Sequence, residues 1–449
     1  MPDYAASTVV VGGGIAGLAA AWFLAEAGED VLVLEGSPAV GGKLRLASVA
    51  GVEVDVGAEA MLNRRPEGVA LARAAGLDPV QPATTRSQLW SCGMLRPLPR
   101  TLLGVPLDLD DLAASGVLSA DGLDAVRHPV DLPAPAGDEA VGALVGARLG
   151  EEVVDRLLEP LLGGVYAGHA RALSAAAATP QLMALLQRGG SLLEAAATLP
   201  VSDTPVFAGL EGGLGRLPQA LAGSGRFAVR TDAVVREVSR AAGGFRLAIG
   251  STREPSVVEA GRLVLATPAA PTARLLADLA PRAGATLARI ESASMAIVTL
   301  AVTELDAAGS SGFLVPPDEG RRIKAATYSS SKWDWVRDAS SYRILRASLG
   351  RHREEAVLEV TDDELVAAAV ADLADATGRP LDVVDRHVQR WGGALPQYAV
   401  GHLDRVAAIR ADVARVPGLA VCGAAYDGVG IPAVIASAQR AAAAVLRAQ

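Results

Sequence analysis

Residues 8–36 read TVVVGGGIAGLAAAWFLAEAGEDVLVLEG, and this stretch decides the fold. A run of valines ends at three glycines, which predicts a strand over Ser7–Gly12. The apolar run after them predicts a helix over Ile15–Ala27, and Gly28 is a typical helix stop. A second apolar run predicts a strand over Asp30–Leu34. Strand, helix and strand in this order predict a βαβ unit, the building block of a parallel sheet.

The glycines of this unit have the spacing of a dinucleotide-binding turn. Gly12, Gly14 and Gly17 form G-x-G-x-x-G around Ile15 and Ala16. Such a turn lets the backbone approach a pyrophosphate and directs the amides of a helix N-terminus toward it. Glu35 ends the second strand, where a carboxylate can accept the hydroxyls of an adenosine ribose. The pattern therefore predicts a dinucleotide site; the alternative is a tight turn without a ligand.

A second glycine pair follows directly. The stretch EGSPAVGGKL contains Gly41, Gly42 and Lys43. It resembles the second glycine motif of the large flavoprotein family that includes amine oxidases, phytoene desaturases and protoporphyrinogen oxidases. The resemblance implies non-covalent FAD, with these three residues along its pyrophosphate and ribityl chain. The alternative is a glycine loop with a solvated lysine.

Two later segments extend the resemblance. Val234, in TDAVVREV, is similar to the family's adenine-contacting valine, and LVLATPAAPTARLL (263–276) is similar to the family's A-T-P turn. The stretch VCGAAYDGVGIPAVIAS near the C-terminus resembles the family's last flavin contact, in which the positive end of a helix dipole faces the flavin. Its implied contacts are Gly423, Val429, Gly430 and Ile431. Ala424 stands where many relatives have an acid, and Asp427 is a substitute candidate.

The stretch EPLLGGVYAGHARALS (159–174) narrows the resemblance. It is similar to a run of the protoporphyrinogen oxidase family, especially of its Gram-positive, actinobacterial coproporphyrinogen III oxidases. Further matches lie at GFLVPPDEGRRIKAATYSSSKW and GGALPQYAVGH, so the resemblance covers nearly the whole chain. Small residues here would let a flat macrocycle approach a thin apolar wall. The alternative is a glycine cluster used for helix packing.

The resemblance implies an activity. It is the six-electron oxidation of coproporphyrinogen III to coproporphyrin III in heme biosynthesis, with O2 as acceptor and H2O2 as product. The chemistry would belong to FAD, so no protein catalytic residue is expected. Protoporphyrinogen IX oxidase is the first alternative. A flavin amine oxidase, a polyprenyl desaturase and a non-redox carrier of prenylated GTPases are more distant ones.

The four propionates of this substrate call for cations, although the net charge is −9. Our candidates for substrate binding are Arg64, Arg65, Lys332 and Tyr166, and Arg346 and Leu395 are further candidates. Each has a simpler alternative, a solvated turn for the arginine pair and core packing for Tyr166. A ferrochelatase is an implied partner.

Composition excludes several other classes. The acidic balance argues against nucleic acid as a partner. Two cysteines, Cys92 and Cys422, and five scattered histidines form neither a disulfide framework nor a metal motif, so no metal is expected. The apolar run at Thr8–Ala25 lacks a basic flank, so we expect neither a signal peptide nor a membrane span there. We therefore expect a cytoplasmic protein. Peripheral membrane contact is left open.

The pattern of elements predicts an α/β fold with a discontinuous FAD-binding domain, an α+β substrate domain and a helical region. The predicted divisions are 1–68, 201–290 and 406–449 for the FAD domain, 69–200 for the helical and substrate-binding region and 291–405 for the substrate domain. Within them we expect β-like runs between Phe207 and Pro268, an amphipathic helix at Asp362–Thr377, and a final strand, loop and long helix.

Overall fold

The computed structural model describes residues 4–199, 204–251 and 253–447. Its strands are β1 Tyr4–Val11, β2 Val31–Leu34, β3 Leu46–Val49, β4 Val52–Asp55, β5 Met61–Leu62, β6 Pro79–Val80, β7 Gln88–Ser91, β8 Met94–Pro97, β9 Thr101–Leu102, β10 Val105–Pro106, β11 Phe207–Leu210, β12 Ala228–Arg230, β13 Val235–Ala241, β14 Gly244–Gly250, β15 Pro255–Leu265, β16 Ser292–Val302, β17 Gly312–Leu314, β18 Ile323–Thr327, β19 Arg343–Leu349, β20 Val383–Pro396 and β21 Leu419–Val421.

The helices are α1 Ile15–Glu26, α2 Pro66–Ala74, α3 Leu109–Ser115, α4 Ala120–Arg127, α5 Val141–Leu149, α6 Glu151–Val153, α7 Glu159–Tyr166, α8 Ala175–Ala178, α9 Pro180–Leu186, α10 Leu192–Ala197, α11 Arg216–Ala222, α12 Ala269–Leu275, α13 Pro281–Leu287, α14 Ser329–Lys332, α15 Asp334–Asp338, α16 Asp362–Thr377, α17 His402–Val413 and α18 Ile431–Arg447. A π-helical turn at Val154–Leu158 joins α6 to α7.

The first sheet confirms the predicted βαβ unit. Its order is β12-β2-β1-β15-β14-β13, and β21 pairs with β15. The pairs β1 with β2, β1 with β15, and β15 with β21 are parallel. Helices α1 and α18 pack on one face, and α12, α13 and α17 pack on the other. Apolar strands buried from both sides are typical of such a doubly wound sheet.

The second sheet has the order β20-β16-β19-β18-β17-β7-β8 and is antiparallel except for the pair β7 with β17. Helix α16 covers one of its faces through Leu365, Ala369 and Leu373. This helix has the predicted bounds because Thr361 and Glu364 form a capping box at its N-terminus. Helices α3 to α10 build a separate core beside this sheet.

Two features of the region 69–200 differ from the prediction. Residues 79–106 contain five short strands, β6 to β10, where we expected mainly helix. Strand β7 joins the second sheet through the distant β17, so its partner lies more than 200 residues away. Strands of two to four residues carry too little periodicity to be recognised in sequence.

The predicted divisions can be compared with the elements. The boundary at 68/69 falls inside α2 and the one at 405/406 inside α17, so helices occupy these places instead of linkers. The boundary at 200/201 and both chain ends lie outside the described residues. Strands from the three predicted parts of the FAD domain share the first sheet. The exact division stays a prediction.

Candidate functional site

A cavity of about 510 Å³ opens where the parallel strands of the first sheet end. Val11, Leu34 and Ala266, at or just beyond the carboxyl ends of β1, β2 and β15, line it. This is where α/β sheets place ligands, because the loops diverge there and helix N-termini face inward. The cavity extends to the last residues of β20 and the first of α18.

The first glycine loop forms one wall of the cavity. Gly14 is the N-cap of α1 and carries no side-chain cap among the described residues, so the first amides of this helix are available to a ligand. Glu35 supports the loop, because its carboxylate accepts hydrogen bonds from the Gly13 amide at 2.6 Å and the Ser37 amide at 2.8 Å. Glu35 therefore orders the loop in addition to lining the cavity.

The second glycine loop lies against the first. The Gly41 amide donates to the Gly13 carbonyl at 2.8 Å, and a Cβ at Gly42 would lie 3.3 Å from the Cα of Gly14. Lys43 follows and lines the cavity, and burial lowers the pKa of its ammonium to about 8. The contact of the two loops forms a narrow glycine cradle, which any side chain would fill.

The third wall is the loop between β21 and α18. Gly423 and Gly428 have φ values of 128° and 129°, a conformation that side chains rarely adopt. Ala424, Val429 and Ile431 face the cavity. The N-terminus of a 17-residue helix thus points into the site, with the positive end of its dipole.

The structure brings most of the predicted cofactor residues together. Those that line the cavity are Gly12, Gly14, Ile15, Ala16, Glu35, Gly41, Gly42, Lys43, Val234, Gly423, Val429 and Ile431. Gly17 and Gly430 do not belong to the lining described. Gly17 serves packing, because a Cβ there would lie 1.8 Å from the Gly12 carbonyl oxygen. Gly430 accepts the Val434 amide in the first turn of α18.

Several lining residues were not among the predicted site residues, although some lie in stretches that carried the resemblance. They are Ala58, Arg274, Ser292, Gly393, Ala394 and Pro396. Arg274 lies in the stretch that we compared with the family's A-T-P turn, so its basic side chain could have been a signal. Ala58 and Ser292 carry no such signal, since only the folded chain brings them to the cavity. Asp427 has another role: its carboxylate forms ion pairs with Arg410 and Arg440.

These walls fit a flavin dinucleotide. The cavity offers the helix amides and the glycine cradle for a pyrophosphate, with Lys43 and Arg274 as cations. Its other end is apolar, formed by residues 393–396 and by Val429. A flat ring system requires such apolar walls, and the α18 N-terminus lies beside them.

The arginine candidates for substrate binding do not line this cavity. Arg64 is exposed in the turn after β5. Arg65 precedes α2, and its guanidinium pairs with Glu67 at 2.5 Å. Strand β5 nevertheless places both beside β11, because Leu62 pairs with the half-exposed Phe207.

Lys332 occupies a buried ion cluster. Its Nζ lies 2.7 Å from Glu59, and Arg346 contacts the other oxygen of the same carboxylate at 2.7 Å. Burial would raise the pKa of Glu59, but the two cations outweigh it and lower the pKa to about 2. Glu59 follows Ala58, which lines the cavity, and Lys332 lies 5.9 Å from the ring centroid of Phe207.

Tyr166 is packed in the core, which is the simpler alternative to a role in substrate binding. It is 6% exposed, and its ring lies 5.5 Å from that of Tyr398. The small residues around it serve close contact: a Cβ at Gly168 would lie 2.1 Å from Gln397 Oε1. Gln397 follows Pro396 of the cavity wall and donates to the Tyr166 carbonyl at 2.8 Å. The stretch 159–174 therefore supports the cavity wall from behind.

Comparison with known proteins now adds to the geometry. A family described as flavin containing amine oxidoreductase matches residues 15–446. The chain belongs to this family. It is 40% identical over 448 residues to a coproporphyrinogen III oxidase of Mycobacterium leprae (strain TN), with 97% of each chain covered. The predicted resemblance, the enzyme class and FAD as cofactor are thereby confirmed.

Solved structures agree. The crystal structure of a "Putative protoporphyrinogen oxidase" from Exiguobacterium sp. 255-15 aligns with a TM-score of 0.88 and 31% identity over all of both chains. A putrescine oxidase bound to putrescine aligns with a TM-score of 0.70 at 18% identity, which indicates a shared fold only.

Residues 4–199, 204–251 and 253–447 contain no group of three or more His, Cys, Asp or Glu side chains placed to hold a metal ion. Within the same ranges no helix is long and apolar enough to cross a membrane.

Proposed function

We propose that this flavoenzyme oxidises coproporphyrinogen III to coproporphyrin III. The observation that carries the proposal is the 40% identity to a coproporphyrinogen III oxidase along 97% of the chain. The reaction removes six electrons and six hydrogens, so three O2 are consumed and three H2O2 are released. When bound, FAD supplies the redox chemistry by accepting hydride equivalents from substrate carbon and passing electrons to dioxygen.

The protein's own contribution is binding, orientation and exclusion of water. We assign the pyrophosphate to the glycine cradle and Lys43, and the adenosine to Glu35 and Val234. The isoalloxazine ring then belongs between residues 393–396 and the N-terminus of α18, where the dipole stabilises negative charge. The apolar lining around Leu395 excludes water from the ring.

We place the carboxylates of the substrate along a line of basic residues that leads from the cavity to the surface. Lys332 and Arg346 lie next to the cavity wall through Glu59. Phe207, close to Lys332, lies on β11, which pairs with β5 just before the turn that bears Arg64 and Arg65. An aromatic ring with the Lys332 ammonium 5.9 Å from its centroid suits a macrocycle that carries acidic side chains. Tyr166 does not face the substrate in this placement but supports the cavity wall from behind, through the hydrogen bond from Gln397 to its carbonyl.

The reductive half-reaction tests this proposal without oxygen. Coproporphyrinogen III is mixed anaerobically with at least three equivalents of the FAD-loaded protein, because each FAD accepts only two of the six electrons, and the visible absorbance of the oxidised flavin is followed. Loss of this absorbance together with appearance of porphyrin fluorescence is expected. A flavin that stays oxidised with this substrate but is bleached by an amine would contradict the proposal.

The placement of FAD has a separate test. Gly14→Val fills the cradle opposite Gly42, so the variant is expected to fold and to lack FAD. The matched control is Gly137→Val, at an exposed position without a left-handed φ, where a Cβ meets no atom within 4 Å. Stoichiometric FAD in a folded Gly14→Val protein would contradict the placement.

Protoporphyrinogen IX is the second candidate substrate, favoured by the structural likeness to the Exiguobacterium protein. Transfer of the product to a ferrochelatase, a cytoplasmic location and a peripheral membrane contact complete the proposal. Co-sedimentation with anionic lipid vesicles tests the contact, and a protein that stays in the supernatant would exclude it.

A further inference from the structure

Tyr398 stands between three parts of the molecule. It follows β20, is 1% exposed, and its hydroxyl reaches the loop between β21 and α18. This hydroxyl donates to the Ala424 carbonyl and accepts a hydrogen bond from the Gly428 amide at 2.8 Å. One side chain therefore connects two points of the loop that are four residues apart.

The bridged loop is the wall from which α18 begins. Ala424 and Val429 line the cavity, and Ile431 starts the helix. Gly428 has a φ of 129°, which glycine adopts readily but other residues rarely do, so the backbone alone leaves this part of the loop free to take several conformations. The Tyr398 hydroxyl provides contacts that hold it there.

Tyr398 is itself held firmly. Its carbonyl accepts the Ser174 amide at 2.7 Å, at the end of the stretch 159–174. The ring of His402 stacks on it with centroids 3.9 Å apart and an interplanar angle of 14°, and Tyr166 packs at its other side. Burial lowers the pKa of His402 to about 4, so this stacking partner is neutral at physiological pH.

We propose that Tyr398 is a positioning residue for the flavin: its hydroxyl sets the loop 423–430 and thereby the aim of the α18 N-terminus at the ring. The proposal rests on the proposed placement of FAD in the cavity. Reduced flavin carries negative charge beside this helix end, so a well-aimed N-terminus stabilises the reduced form more than the oxidised form. The hydroxyl therefore raises the midpoint potential of the flavin.

Tyr398→Phe tests the proposal, because it keeps the ring and its stacking but removes both hydrogen bonds to the loop. The midpoint potential is measured by dye-coupled reduction of the holoenzyme without porphyrin. We expect about a tenfold loss of affinity for reduced relative to oxidised FAD, which lowers the potential by about 30 mV for a two-electron couple. The control, Tyr342→Phe, changes an exposed tyrosine and should leave the potential unchanged.

A second variant keeps the test decisive if Tyr398→Phe fails to fold. Gly428→Ala strains the same loop from its other end, since its Cβ would lie 2.8 Å from the Cβ of Ala433. A lowered potential in the variant that folds supports the proposal. The proposal would be overturned if either variant folded, bound a full complement of FAD and kept the wild-type midpoint potential. This holds even if porphyrinogen turnover were intact. Absence of porphyrinogen turnover with a lowered potential would instead count only against the proposed function.

Discussion

At the scale of single residues, Lys43 is one of three lysines in the chain and the one that lines the cavity. Its ammonium is buried, and this burial lowers the pKa to about 8. The free protein therefore loses this charge near pH 8 instead of above pH 10. A cation that titrates here makes cofactor affinity depend on pH.

We predict that the affinity of the apoprotein for FAD falls by about tenfold as pH rises through 8, because neutral Lys43 loses a charge-assisted hydrogen bond. Below that pH the affinity should be constant. Fluorescence titration with FAD between pH 6.5 and 9.5 measures it. Lys43→Met should remove the dependence, while Lys324→Met, at a buried lysine outside the cavity lining, should retain it. A flat wild-type profile would exclude Lys43 from the pyrophosphate site.

Glu59 gives a second residue prediction. Glu59→Gln leaves Lys332 and Arg346 buried without their carboxylate, and we expect a loss of about 3 kcal/mol in unfolding free energy. Glu67→Gln removes the partner of the more exposed Arg65 and should cost less than about 1 kcal/mol. Chemical denaturation of the two holoenzymes compares them, and equal losses would show that the cluster is not effectively buried.

The same cluster has a pH signature. The pKa of Glu59 is about 2 in the folded chain, below the ordinary value of 4.5. Its contribution to stability is therefore complete above pH 4.5 and is lost as pH falls toward 2. The sequence could not reveal this pairing, because Glu59 and Lys332 lie 273 residues apart.

At the scale of elements, helix α7 and the residues after it show what the stretch 159–174 does. Of the glycines in this stretch, Gly168 lies against the segment that continues from the cavity wall, and Ala167 adopts a left-handed φ of 48° at the helix end. Contact through Gly168 lets Gln397 reach the Tyr166 carbonyl. Gly163 and Gly168 differ in the space available for a side chain. A Cβ at Gly163 would lie 3.9 Å from its nearest neighbour, whereas one at Gly168 would lie 2.1 Å from Gln397 Oε1.

We predict that Gly168→Ala costs about 1 kcal/mol, because its Cβ displaces Gln397 from the Tyr166 carbonyl. Gly163→Ala should be neutral or stabilise by up to about 1 kcal/mol, since it lies in a helix with the nearest atom 3.9 Å away. Thermal unfolding of both holoenzymes measures the difference. If Gly163→Ala were the more harmful change, the packing role of Gly168 would be contradicted.

Elements with a local cause were predictable. The glycine turn, helix α1 and helix α16 follow from backbone freedom and capping, which depend on neighbouring residues. Strands β7 to β10 were missed because their pairing is with distant or very short segments. Tyr398 was missed as well, since both hydrogen bonds of its hydroxyl are made to backbone atoms about 30 residues away.

At the scale of the whole molecule, the cavity lies where the loops of the first sheet meet the end of β20 and the N-terminus of α18. The cofactor end of the cavity could be predicted because each of its motifs is a short stretch of neighbouring residues whose backbone lines the cavity. The substrate end could not be predicted, because Arg65 and Lys332 form ion pairs with the carboxylates of Glu67 and Glu59. The sequence composition does not reveal such pairs. A net charge of −9 is compatible with an acidic substrate only where cations locally outnumber carboxylates, as Lys332 and Arg346 outnumber Glu59.

The central claim is that this flavoenzyme oxidises coproporphyrinogen III with oxygen. Its most direct test follows porphyrin fluorescence and peroxide in air, with coproporphyrinogen III and protoporphyrinogen IX supplied in parallel to the FAD-loaded protein. The flavin-free Gly14→Val variant measures the background of spontaneous oxidation. We predict a faster rise with coproporphyrinogen III and three H2O2 for each porphyrin formed. A rise no faster than that of the flavin-free variant with either substrate would contradict the claim.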